Sequence, residues 1–264
     1  MSRKQKISRI SLLHFFKLIS RSATFLIALV MYIVSRARGS RFFLTDVKEH
    51  AVILAIIALV FLGEMILRFF PSRFESMGCQ KQFARNYIPR TPEAEPKSTA
   101  LSTLSVALVW LALNGAIGAI YYLGWIDEGI LILISLFYSV CDMICILYFC
   151  PFQTWMMKNK CCGSCRIYNW DYAMMFTPLV FIPHFYTRGL LGIALLLLLV
   201  WEIAAHVHPE RFRTETNECL SCTHCKEKLC HHKKQLRHFL RKNKELLLLK
   251  GNAVAEKVKN LTKK

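Results

Sequence analysis

Acidic residues are scarce in this chain. Its 264 residues hold 17 Asp and Glu against 35 Lys and Arg, a formal net charge of +18. Polar sequence is scarce too, since 54% of the residues are hydrophobic. A chain this apolar is not an ordinary soluble domain. No internal repeat is visible, which argues against solenoids and propellers. The basic start, Met1 to Arg9, leads into an apolar stretch with no small-residue cleavage site after it, so no secretory signal is expected.

What remains is a series of apolar blocks separated by basic loops. That pattern describes an all-α, polytopic membrane bundle of about six transmembrane helices. The expected spans are Phe16 to Val34, Val47 to Phe70, Leu101 to Leu123, Ile130 to Phe149, Asn169 to Phe185 and Leu190 to Val207. The first is the weakest: Lys17 and Arg21 lie four apart on one face, placed to snorkel to the surface. The fifth is short, and Pro178 and Pro183 predict that it is kinked or broken. The loop 71–98, with Pro89, Pro92 and Pro96, reads as an irregular linker. The expected division is a membrane domain over 1–208, including that loop and a Cys-rich loop at 150–170, followed by a Cys-rich segment and basic tail over 209–264. In the tail, Leu236, Phe239, Leu240 and Leu247 recur at helical spacing, as in an amphipathic surface helix.

Lys and Arg set the expected orientation. With the N-terminus inside, 30 of them fall on inner segments and 5 on outer connections. Both termini and both cysteine clusters are then cytoplasmic, in an inner or plasma membrane. The basic excess is accounted for by topology and anionic headgroups, so the lipid bilayer is the expected partner and nucleic acid is not.

Eight of the 11 cysteines form two clusters. The first is Cys150, Cys161, Cys162 and Cys165. The second is Cys219, Cys222, Cys225 and Cys230, spaced C-x2-C-x2-C-x4-C. Thiols in a reducing compartment at two-residue gaps read as metal ligands rather than disulfides. Soft thiolates suit an iron–sulfur cluster or zinc. Cys219, Cys222 and Cys225 resemble the three-ligand run of bacterial ferredoxins, which a later cysteine–proline pair completes. Here Cys230 precedes His231, and the cysteine–proline pair, Cys150–Pro151, lies on the other loop. The bland alternative is membrane-edge cysteines, some of them palmitoylated. Cys79 stands alone and is not expected to be a ligand. Cys141 and Cys145, one turn apart, read as small apolar residues of a span.

Three ionisable residues near inner span ends are candidates for proton handling: Asp142, Glu202 and His206. A carboxylate inside a span faces a partner or a water-filled cavity. Glu202 and His206 share a helix face, and an interfacial Glu–His hydrogen bond is the plainer reading. Asp171 beside Trp170 is a candidate helix cap. His50 and His184 read as interfacial rather than as haem ligands.

The functional expectation is a membrane metal protein with a cytoplasmic cysteine-ligated centre, iron–sulfur before zinc. It would pass electrons from a cytoplasmic redox donor to a membrane acceptor. The alternatives are a transporter or channel-like protein clamped by structural zinc, and a non-catalytic assembly factor. A thiol oxidoreductase of the vitamin-K-epoxide-reductase type is disfavoured, because such enzymes place their cysteines toward the oxidising side and the outer connections here hold none.

Overall fold

The structure is a computed structural model that describes residues 9–39, 51–71, 77–90, 99–159 and 161–221. All of them lie in the compact unit Met1–Glu227. Cys222, Cys225, Cys230 and the expected tail helix fall outside the described residues. The described regular structure is helical. Its principal elements are α1 (Arg9–Ala37), α2 (Ala51–Leu67), α3 (Met77–Gln82), α4 (Ala100–Tyr122), α5 (Glu128–Leu147), α6 (Asp171–Phe176) and α7 (Phe185–Val207).

Four helices among the described residues are long and apolar enough to cross a membrane: Leu12–Ala37 within α1, then α4, α5 and α7. At 1.5 Å per residue, α1 extends about 44 Å, more than a hydrocarbon core of about 30 Å. The outer faces of these helices expose large apolar side chains, including Leu26, Leu108, Leu111, Leu196, Leu199 and Ile203. Water would penalise so continuous an apolar surface.

α5 sits at the centre and packs against α1, α6 and the turn that follows α6. Asp127 caps it by accepting from Ile130 N at 2.9 Å. The inward stripe of α1 is His14, Arg21 and Ala28, at seven-residue intervals. Arg21 therefore does not snorkel. Its side chain is 7% exposed and turns into the bundle.

The ends of the helices sort into two sets. At one end, Tyr32 of α1 donates to Asp127 at 2.9 Å, and His184 meets Glu128 at 3.1 Å. At the other end lie Lys17, Glu64, Asp142, Asp171 and the first cysteine loop. Between the two ends runs the proline-bearing segment, broken as its sequence predicts. α6 gives way to a 3-10 helix over Thr177–Phe181 and then to an extended stretch before α7. Six α residues, five 3-10 residues and three extended ones reach about 29 Å together. An α-helix of equal length would reach about 21 Å. The Thr187 hydroxyl lies 2.9 Å from the Ile182 carbonyl, which it can satisfy where the helix is broken, and 2.8 Å from that of His184, which also accepts from Arg188 N at 3.1 Å.

The loop 71–98 is not an irregular linker over its described part. α3 buries Cys79, Gln80 and Gln82. Gln82 accepts from Asn169 at 2.7 Å. Residues 84–90 dock on the chain after α7, where Glu218 N donates to Ile88 O and Arg90 N to Thr216 O. Residues 209–221 thus pack back on the bundle, with Phe212 against Trp201.

Candidate thiol site and buried charge network

α1 contributes cations because its inward face carries Lys17 and Arg21 one turn apart. α2 brings Glu64 to the same depth, and α5 brings Asp142. Arg21 spans both carboxylates, 2.7 Å from Glu64 and 3.0 Å from Asp142. It also donates to the Ser139 carbonyl at 3.1 Å. Lys17 reaches the second oxygen of Glu64 at 3.3 Å. Tyr172 donates to Glu64 at 2.7 Å. One turn beyond Glu64, Arg68 meets Asp171 at 2.5 Å and lies 4.6 Å from the centre of the Tyr172 ring. Asp171 is thus an ion-pair partner, and its side chain does not cap α6. Three cations face three carboxylates, and this balance makes burial tolerable. His14 is buried beside them, and its Nδ1 has no hydrogen bond among the described residues.

The first cysteine loop folds beneath this network. After α5 the chain makes one turn of π-helix over Phe152–Met156 and a 3-10 turn over Cys162–Ser164. Those turns carry Cys150, Cys162 and Cys165 onto one cavity of about 350 Å³, which Cys141, Asp142 and Cys145 of α5 also line. Gln153 organises the thiols. Its Oε1 accepts from Cys162 at 2.6 Å, and its backbone N–H donates to Cys150 Sγ at 3.4 Å. The Cys162 thiol also lies 3.3 Å from the Cys145 carbonyl. Burial pushes the Cys165 thiol up to about 12, so it carries its proton at neutral pH. Cys161 is half-buried and does not line the cavity.

Among the described residues, no three His, Cys, Asp or Glu side chains converge as a metal-ligand set. The thiols surround the cavity without closing on one point, and Cys162 is engaged with Gln153. Their chemistry nevertheless suits a soft metal. Binding there would displace thiol protons and draw the turns together.

The second cluster enters from the other loop. Cys219 donates to the Asn86 carbonyl at 2.9 Å. The Cys162–Ser164 and Glu218–Leu220 turns both touch α3. One short helix therefore touches a turn of each cysteine loop.

The three proton-handling candidates are not brought together. Asp142 belongs to the Arg21 network. Glu202 takes a two-pronged Arg166 at 2.8 and 2.6 Å, and accepts from the Trp170 indole at 2.6 Å. His206, expected to share a contact with Glu202, is exposed. His184 pairs with Glu128, and His50 lies outside the described residues. The sequence reading took Cys145 for a small apolar residue of the span and passed over Gln153, Arg68 and Tyr172. For Cys145 a signal existed: it stands five residues before Cys150, close to the end of a span. No protein-family model matches this chain, and neither a curated protein nor a solved structure matches it.

Proposed function

We propose that this is an integral membrane protein of six crossings, with its basic loops and cysteine clusters on the cytoplasmic face, that holds a cysteine-ligated metal centre. The two crossings beyond the four long helices are α2 and the broken segment 171–184. The centre is an iron–sulfur cluster that passes single electrons to an acceptor in the membrane. The observation that carries this reading is the meeting of Cys145, Cys150, Cys162 and Cys165 on one cavity at the basic end of the bundle. A soluble donor would dock on that basic face. Cys145 replaces Cys161 in the set favoured by sequence spacing alone. The second cluster, Cys219, Cys222, Cys225 and Cys230, would supply a further centre or complete this one.

Iron–sulfur chemistry fits a site at this depth, because the cluster changes charge with little movement and its potential follows burial and hydrogen bonding. Asp142 lies on the wall of the same cavity and would bring protons to it. The test is anaerobic purification followed by visible spectroscopy. Brown protein that dithionite bleaches is the expected result. Colourless protein carrying stoichiometric zinc would overturn electron transfer in favour of a structural clamp.

A second reading draws on the charge network. Lys17, Arg21, Glu64 and Asp142 lie among apolar helices, and ionisable residues at that position commonly mark an ion or proton path. In that reading the protein is a transporter or channel-like protein, and zinc fastens its cytoplasmic loops.

A further inference from the structure

A second cavity, of about 200 Å³, lies where α4 begins and α7 ends. Its lining is polar and apolar in similar measure, and its charged side chains are Lys158, Arg166, Arg213 and Glu215. Arg166 is taken by Glu202. The side chains of Lys158 and Arg213 make no hydrogen bond or ion pair among the described residues. Glu215 accepts from its neighbour Thr214 at 3.0 Å. Lys158 and Arg213 against Glu215 leave one positive charge unmatched. The walls are held in place: Asn159 donates to the Ser164 carbonyl at 2.9 Å, and the Phe212 ring lies 6.0 Å from Trp201 and 5.8 Å from the Arg166 guanidinium. Thr99 lines the cavity and makes no side-chain cap on α4, so the positive end of that 23-residue helix lies at the rim uncapped by its own threonine. The rim stands at the ends of two helices long and apolar enough to span a bilayer. Near it, Leu101 and Leu104 of α4 and Ile203 and Val207 of α7 are exposed. Trp155, in the π turn before Lys158, is 68% exposed, a side chain suited to the headgroup level.

We infer that this cavity binds the headgroup of an anionic phospholipid, whose acyl chains lie along the exposed apolar side chains of α4 and α7. The inference rests on the membrane reading of α4 and α7 and is independent of the metal centre. Lys158 and Arg213 supply charge-assisted donors to the phosphodiester, and the start of α4 adds the partial charge of a helix end. A volume below the ~300 Å³ at which drug-sized sites begin admits a headgroup and leaves the chains outside. Glu215 limits the charge that the site accepts. One unmatched positive charge suits a singly charged phosphodiester, whereas the second charge of a phosphate monoester would meet the carboxylate. A choline headgroup would place its own cation among Lys158 and Arg213 and is the poorer match.

The test uses the whole protein, stripped of lipid in a mild detergent, and native mass spectrometry with phosphatidylglycerol as the probe. One phosphatidylglycerol per chain should bind about tenfold more tightly than phosphatidylcholine. Lys158→Asn and Arg213→Gln should each weaken binding about fivefold. Asn is the choice at 158 because it tolerates the left-handed backbone there, at φ 48°. Arg85→Gln, which removes an exposed cation outside the cavity, should leave binding unchanged. Glu215→Gln should tighten the binding of phosphatidic acid, a phosphate monoester, about fivefold, a gain that misfolding cannot produce. A loss in Arg85→Gln equal to that in Lys158→Asn would mean diffuse attraction to a basic surface and overturn the site. Phosphatidylcholine bound as tightly as phosphatidylglycerol, or free glycerol phosphate bound as tightly as the lipid, would overturn the anionic lipid as its occupant. Protein that stays soluble without detergent would sink the membrane reading itself. Protein that needs detergent but shows no preference for phosphatidylglycerol would sink the site alone.

Discussion

Arg21 holds Glu64 and Asp142 in a space that admits little water, with 7% of its own side chain exposed. Its removal would leave two buried carboxylates facing each other. Arg21→Ala is therefore expected to cost about 3–5 kcal/mol, read as a lowered thermal midpoint in detergent. Arg21→Lys should recover only part, because a single ammonium cannot span both partners as the guanidinium fork does. A wild-type midpoint for Arg21→Ala would contradict the network. Gly118 is the second position where a single atom matters. A Cβ there would overlap the Phe181 ring, which packs over the glycine. Gly118→Ala should destabilise by about 1–3 kcal/mol, whereas Gly115→Ala, with open space around it, should not. Spacing put Lys17 and Arg21 on one face of α1, but the direction expected for that face, outward to the membrane surface, was wrong for Arg21. Direction depends on Glu64 and Asp142, contributed by helices 43 and 121 residues away in the chain.

The broken segment between α6 and α7 shows what composition can and cannot reveal about an element. Pro178 and Pro183 announce a break. They do not say that a tighter 3-10 turn and an extended stretch let 14 residues reach about 29 Å, where an α-helix would reach about 21 Å. Thr187, with its hydroxyl at the Ile182 and His184 carbonyls, keeps that backbone tolerable away from water. Thr187→Val should cost about 1–2 kcal/mol and speed amide exchange around residues 182–188. Unchanged exchange would mean that the threonine does not hold the break. α3 is the element the sequence hid. Six residues with two glutamines and a lysine carry no visible apolar stripe, so the stretch reads as loop. Its order comes from partners distant in the chain: Asn169, Asn217 and the turn at Glu218. Cys79, which by sequence stands alone in a polar loop, is 0% exposed in α3. Cys79→Ser is thus expected to lower stability and to leave bound metal unchanged.

At the scale of the whole molecule, the all-helical class and the three later long helices were legible, because hydropathy and charge are local signals. The site itself was legible in part. Cys150, Cys162 and Cys165 were named from spacing, whereas Cys145 joins them only because α5 ends beside the π turn. The proposed orientation has its own check. Trp125→Cys, in the exposed turn after α4, should react with an impermeant maleimide in intact cells, and Lys158→Cys only after permeabilisation. The reverse pattern would invert the topology. The most direct measurement of the central claim is the iron, zinc and acid-labile sulfide content of anaerobically purified protein, compared across wild type, Cys145→Ser, Cys162→Ser and Cys79→Ser. The account predicts iron with matching sulfide in wild type and Cys79→Ser, and a marked loss of both in Cys145→Ser and Cys162→Ser. Wild-type protein without iron and sulfide, or equal content in all four, would contradict it.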